Sequence, residues 1–86
     1  MKLKLSKPIV FFDIEATGLD VVNDRIVEIS LLKVHPNGKE EKQTFRVNPE
    51  KEISAEAFGI HNISNEDVND SPKFVDIAKD LLTYFQ

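Results

Sequence analysis

Apolar positions along this 86-residue chain fall into three extended runs followed by one helical stripe. Pro8-Ile9-Val10-Phe11-Phe12-Asp13-Ile14 is β-branched or aromatic until Asp13 interrupts it, which predicts a buried strand over about 8–15. A second strand is predicted over about 25–35. Its apolar residues lie on both faces, Ile26, Leu32 and Val34 against Val27, Ile29 and Leu31, so cover on both sides is expected. Pro36-Asn37-Gly38 reads as a hairpin turn. A third strand then returns antiparallel over about 41–48, with Gln43, Phe45 and Val47 alternating against Thr44 and Arg46, and Pro49 ends it.

Beyond the strands, helix signals take over. Ser54 is placed to cap a short helix closed by Gly59. Ser64-Asn65-Glu66-Asp67 has the spacing of a capping box. Ser71 as cap and Pro72 as first helical residue open the clearest element, a C-terminal amphipathic helix over about 72–85. There Phe74, Ile77, Ala78, Leu81, Leu82 and Phe85 recur at three-and-four spacing, a stripe read as core. The class is therefore α/β, one domain over residues 1–86 with a three-stranded sheet. The last helix carries no stop signal before Gln86, so a truncated domain is expected.

Composition narrows the picture. With 41% hydrophobic and 30% charged residues the chain is expected to fold. No apolar run approaches the roughly 20 residues that span a bilayer, and the start lacks the apolar core of a secretory signal. The absence of cysteine removes disulfides and thiolate metal sites. Together these features fit a cytoplasmic protein with no membrane role. The net charge of −4 weighs against a protein gripping long stretches of nucleic-acid backbone. Lys2, Lys4 and Lys7 form the one basic cluster and read as a solvated leader.

Asp13 and Glu15 carry the candidate chemistry. Two apart on a strand, they share a face while Phe12 and Ile14 point the other way. Desolvating two carboxylates is costly and they repel each other, and a divalent cation between them resolves both problems. Hard oxygen ligands of this kind suit Mg²⁺ or Mn²⁺. The structural alternative is an ion pair with Arg25 or Arg46. Glu28 reads as a paired structural acid, and His35 and His61 as surface or helix-cap histidines.

The residues Phe11-Phe12-Asp13-Ile14-Glu15-Ala16-Thr17-Gly18-Leu19 resemble the first signature of the DEDD-type (DEDDh, ribonuclease H-like) 3′–5′ exonucleases, a family that includes the proofreading subunits of DNA polymerases. Asn23-Asp24-Arg25-Ile26-Val27-Glu28-Ile29 and Phe45-Arg46-Val47-Asn48-Pro49 resemble its second and third strands. Ala57-Phe58-Gly59-Ile60 is similar to a segment that usually reads His-Gly-Ile, and Ser71-Pro72-x-Phe74 to the start of the next helix.

The resemblance implies the N-terminal half of a ribonuclease H-like fold, with the apolar edge of strand one open. It implies phosphodiester hydrolysis with two metals about 4 Å apart in the complete domain, a site expected to bind Mg²⁺ or Mn²⁺ weakly or stay empty in this chain. Asp13 would bridge both, and Glu15 would bind the one carrying the attacking water. Ala16, Thr17 and Gly18 would meet the terminal nucleotide, Leu19 would wedge beside its base, and Phe58 would stack on it where the family often has His. The implied partners are a single-stranded nucleic-acid 3′ end, DNA ahead of RNA, and a DNA polymerase subunit. Two further acids and the general-base His have no counterpart here, so the isolated chain is expected to be inert. A binding or assembly module, or a complementing half of a split enzyme, are the alternatives. Self-association through strand one is also expected.

Overall fold

The computed structural model describes residues 6–20 and 22–85. Strands β1 (Ile9–Ala16), β2 (Ile26–Val34) and β3 (Glu40–Arg46) form one antiparallel sheet in the order β1-β2-β3. Helices α1 (Ala55–His61), α2 (Asn65–Asn69) and α3 (Phe74–Leu82) come next in the chain, and α3 tightens into a 3₁₀ turn over Thr83–Phe85. The α/β class and the three strands stand as expected. Of the basic leader, Lys7 is exposed, while Lys2 and Lys4 lie outside the described residues.

Cross-strand partners in an antiparallel sheet share a face. Phe12 pairs with Leu31, and Ile14 with Ile29, which in turn pairs with Phe45. This face meets the helices. Ile29 and Leu31 are buried with Val47, Ile77 and Leu81. The rings of Phe85 and Tyr84 meet Phe12 and Phe45 edge-on, with centroids 6.1 and 6.3 Å apart. A second cluster of Val27, Ile53, Ala57, Ile63 and Val68 seats α1 and α2 against the start of β2. The opposite face carries four cross-strand rows: Ile9–Val34–Glu40, Phe11–Leu32–Lys42, Asp13–Ser30–Thr44 and Glu15–Glu28–Arg46.

Two expectations about burial are corrected. β2 is not covered on both sides: its residues alternate between buried and half-buried, because the helices lie on one face. Nor is β1 a buried strand. It is the sheet edge, and Phe11, Phe12 and Ile14 are 46%, 58% and 41% exposed. Burial of such a run needs a neighbour on its outer side, and among the described residues only β2 pairs with it.

Helix ends also differ in detail. Ser54 caps α1 as expected, its hydroxyl accepting from the Ala57 N–H at 3.1 Å. The helix runs through Gly59 to His61, however, and Asn62 closes it in the left-handed region at φ 57°. The Asn62 N–H donates to the Phe58 carbonyl at 2.7 Å. Asparagine is the residue after glycine that most readily takes this role. The capping box at α2 forms, with Ser64 and Asp67 exchanging bonds of 3.1 and 2.9 Å.

α3 begins later than Ser71-Pro72 suggests. The Asn48 N–H donates to the Pro72 carbonyl, and Lys73 caps the helix with its N–H on the Asp76 carboxylate. Of the predicted stripe, Ile77 and Leu81 are buried, whereas Phe74, Leu82 and Phe85 stay exposed. The hairpin turn is as expected, with Gly38 at φ 88°.

Placing Gly59 inside α1 has a measurable consequence. A Cβ there meets nothing within 4 Å. Gly59→Ala should therefore stabilise the fold by about 0.4–1 kcal/mol in urea denaturation. Asn62→Ala, which must hold a left-handed backbone, should cost about 1 kcal/mol. A destabilised Gly59→Ala protein would return the helix end to Gly59.

Candidate active site

The site is built where β1 ends. Pairing slips between Glu15 and Ala16, with Glu15 opposite Glu28 but Ala16 opposite Ile26. This bulge redirects the chain, as bulges do beside functional sites. The next residues are held from several sides. Thr17 is fully buried. Its N–H donates to the Arg25 carbonyl at 2.8 Å, and its carbonyl accepts from the Ser54 N–H at 2.9 Å. Its hydroxyl donates to Asp24 Oδ1 at 2.7 Å and accepts from the Arg25 N–H at 3.0 Å.

Asp24 in turn accepts the Asp20 N–H at 2.8 Å and pairs with Lys51 at 3.2 Å. A side chain at Gly18 would put its Cβ 2.4 Å from the Asp24 carboxylate, so only glycine fits there. Asp20 organises the tip of the same loop, accepting from the Val22 and Asn23 N–H groups and from the Asn23 amide.

Against this scaffold the two acids stand out. Neither the Asp13 nor the Glu15 side chain forms a hydrogen bond or ion pair with another described residue. The proposed structural partners are engaged elsewhere: Arg46 Nη2 binds Glu28 Oε1 at 3.0 Å, and Arg25 Nη1 donates to the Pro49 carbonyl at 3.2 Å. Directly opposed like charges destabilise a sheet. Arg46 relieves this for the Glu15–Glu28 pair by neutralising Glu28, the paired structural acid expected from the sequence.

Asp13 borders a shallow groove of about 340 Å³ on the open sheet face, with Phe11, Ser30, Leu32, Lys42 and Thr44. Glu15 lines a cleft of about 330 Å³ whose walls include Ile14, Gly18, Leu19, Ile60 and His61. Leu19 and Ile60 are 78% and 69% exposed.

The donor chemistry suits a hard divalent cation. Mg²⁺ characteristically takes one or two carboxylates and fills its remaining positions with water and phosphate oxygens. Two same-face carboxylates without protein partners meet that requirement in part. Among the described residues no group of three His, Cys, Asp or Glu side chains is placed to hold a metal.

Of the predicted nucleotide contacts, Gly18 and Leu19 face the cleft with Glu15, and Ala16 also lines it. Thr17 is committed to internal bonds. Phe58, 43% exposed, borders a different hollow with Ile53 and Ile63. The backbone also bears on the match to His-Gly-Ile. Asn62 has the left-handed conformation that glycine most readily takes, so His61-Asn62-Ile63 also has the form of a His-Gly-Ile segment, beside Phe58-Gly59-Ile60.

His61, expected as a surface or helix-cap histidine, sits in the last turn of α1 and bonds beyond it. The Ile63 N–H donates to its Nδ1 at 3.0 Å, so Nε2 carries the proton and donates to the Ala16 carbonyl at 2.9 Å. It ties α1 to the end of β1, one residue beyond Glu15.

An open face carrying paired carboxylates on the first strand of a three-stranded antiparallel sheet, backed by helices, is part of a ribonuclease H-like exonuclease fold. The chain belongs to the RNase T family: the profile of that family, described as an exonuclease, matches residues 10–86. It is 39% identical over 77 residues to the DNA polymerase III subunit epsilon of Rickettsia prowazekii, covering 87% of this chain and 34% of that protein. To the epsilon subunit of Escherichia coli K12 it is 29% identical over 93 residues, covering 100% of this chain and 37% of that one.

In structure it is similar to Exonuclease X in complex with 5′ overhanging duplex DNA, with a TM-score of 0.73, 32% identity and coverage of 84% of this chain and 42% of that one. The nuclease domain of 3'hExo, a DEDDh family member bound to rAMP, shares the fold at a TM-score of 0.74 with 17% identity, over 91% of this chain and 43% of that one. The chain thus spans about a third of the epsilon subunits it matches.

The loop acids set an acid limit on the site. Thr17's hydroxyl, the Asp20 N–H and Lys51 hold the Asp24 carboxyl below its ordinary 3.8, and the Asn23 amide with the Val22 and Asn23 N–H groups does the same for Asp20. Acids lowered in the folded state contribute stability that is full above their ordinary value and is lost as pH falls through the folded one. Amide signals of residues 17–25 should therefore hold steady from neutral pH to about 4 and move only below the ordinary Asp range. Loop titration centred above 3.8 would contradict the bonding described.

Proposed function

We propose that this chain carries the first acidic motif of a metal-dependent 3′–5′ exonuclease that releases nucleoside monophosphates from single-stranded ends. The observation that carries the reading is the pair Asp13 and Glu15: same-face carboxylates, free of partners among the described residues, beside an apolar cleft, in a chain of this family.

Asp13 and Glu15 are the groups that would hold Mg²⁺ or Mn²⁺. Such a cation, when bound, lowers the pKa of a bound water and offsets charge on the scissile phosphate. The chain's own residues would do the positioning. Leu19, Ile14 and Ile60 offer an apolar wall against a terminal base, Gly18 lets backbone approach it closely, and Glu15 at the wall's end reaches the phosphate side. The remaining acids and the general base would come from polypeptide outside these 86 residues, whether continuous with it or supplied as a separate half.

DNA is favoured as substrate by the likeness to DNA polymerase III epsilon and to an exonuclease solved with DNA. A DNA polymerase subunit is the partner the epsilon likeness suggests. The exposed edge of β1 would take the neighbouring strand of the completed sheet or, in the isolated chain, a second copy.

Manganese relaxation tests the motif directly. Sub-stoichiometric Mn²⁺ should broaden the amides of Asp13 and Glu15 before any others, and Asp13→Asn or Glu15→Gln should abolish the effect. Broadening centred on Asp20 and Asp24 would count against the assignment. With Mn²⁺ and a 3′-labelled single-stranded oligonucleotide, the 86-residue chain should release no monophosphate. Release that depends on Asp13 would show that the site is complete without outside residues.

A further inference from the structure

We propose that Asp24 is a positioning residue for the nucleotide-contacting loop. Its carboxylate holds Gly18 and Leu19 across the cleft from Ile60 and beside Glu15. The inference rests on the exonuclease reading and goes further, because Asp24 belongs to neither the acidic motif nor the expected contacts.

Three observations converge on it. Asp24 joins two stretches of the loop, taking the Thr17 hydroxyl at 2.7 Å on one oxygen and the Asp20 N–H at 2.8 Å on the other. Charged hydrogen bonds of this length are the strong class. The carboxylate occupies the space a Cβ at residue 18 would need, so chain and side chain interlock at Gly18. Lys51, from the segment after β3, braces the arrangement with one bond to Asp24 Oδ1 at 3.2 Å and another to the Asn23 carbonyl at 2.7 Å.

The metal end of the site is supported differently. Asp13 and Glu15 are fixed by the β1–β2 ladder, and the Ala16 carbonyl by His61. Nothing in that support passes through Asp24. The loop end therefore has its own anchor, and the two ends can be separated by mutation. Leu19 is 78% exposed and belongs to neither buried core cluster.

The test uses the whole 86-residue chain, labelled with ¹⁵N, and two probes: Mn²⁺ at the carboxylate pair and a deoxynucleoside 5′-monophosphate at Gly18 and Leu19. Asp24→Asn keeps the shape of the side chain but can no longer accept at both oxygens. It should leave Mn²⁺ broadening at Asp13 and Glu15 unchanged while weakening the monophosphate response about tenfold, the order expected when a charged hydrogen bond is lost.

A double-mutant cycle guards against an unfolded variant. Gly18→Ala should weaken the nucleotide response in the wild type but add nothing further in an Asp24→Ala background, where the clash is gone. An Asp24→Asn protein that binds the monophosphate like wild type overturns the inference. Equal loss of both responses also overturns it, by making Asp24 merely structural. A wild-type chain that answers Mn²⁺ but not the monophosphate overturns it while leaving the acidic motif standing. A wild-type chain that answers neither sinks the exonuclease reading as well.

Discussion

The register of β1 on β2 is the constraint on which the site depends. Side chains alternate with a period of two, so slipping this pairing by one residue would exchange the two faces of β1. Phe12 and Ile14 would turn to the open side, and Asp13 and Glu15 would be driven against Leu81, Ile77 and the ring of Phe85. The observed register is fixed by apolar pairing, Phe12 on Leu31 and Ile14 on Ile29, with the helices packed beneath. Phe12 and Ile14 thus lie on the helix side, though still partly exposed, and the carboxylates fall on the open face as a consequence. No charged partner is needed to hold them there, which leaves them free to bind something else.

Immediately beyond β1, the chain converts that orientation into a site. A bulge after Glu15 turns the backbone, Thr17 is buried with its polar groups satisfied, and His61 and Ser54 fasten the turn to α1. The cleft beside Glu15 lies between this turn and the exposed end of α1. It combines one acid with apolar walls, a combination suited to a ligand with a flat apolar part and an anionic part. The sheet face around Asp13 adds polar rows, Ser30–Thr44 and Glu28–Arg46, bonded within themselves. Asp13 and Glu15 stand next to those rows without such a bond.

Much of this was legible in the chain because local signals agreed with the fold. The three strands, the Asn37-Gly38 turn and the caps at Ser54 and Ser64 rest on rules that act within a few residues. Errors arose where tertiary context decides. The apolar run of β1 reads as buried, yet it lies on the sheet edge, since a strand's pattern records its faces and not its neighbours. Gly59 looks like a helix stop but is helical, and the left-handed position went to Asn62, whose side chain tolerates it. Asp13 and Glu15 were legible as same-face neighbours, because residues two apart on a strand share a face. Asp24 was not, because nothing in a single Asp before Arg25 announces a bond to Thr17.

If Asp13 and Glu15 form one divalent-cation site on the open sheet face, the cation itself can be located. Anomalous X-ray scattering from crystals of the chain grown with Mn²⁺ tests this most directly. A peak is expected between the two carboxylates, at the oxygen–metal distances of about 2.0–2.2 Å usual for small hard cations. It should vanish in Asp13→Asn crystals. A well-occupied peak elsewhere, with none between Asp13 and Glu15 at saturating Mn²⁺, would contradict the assignment.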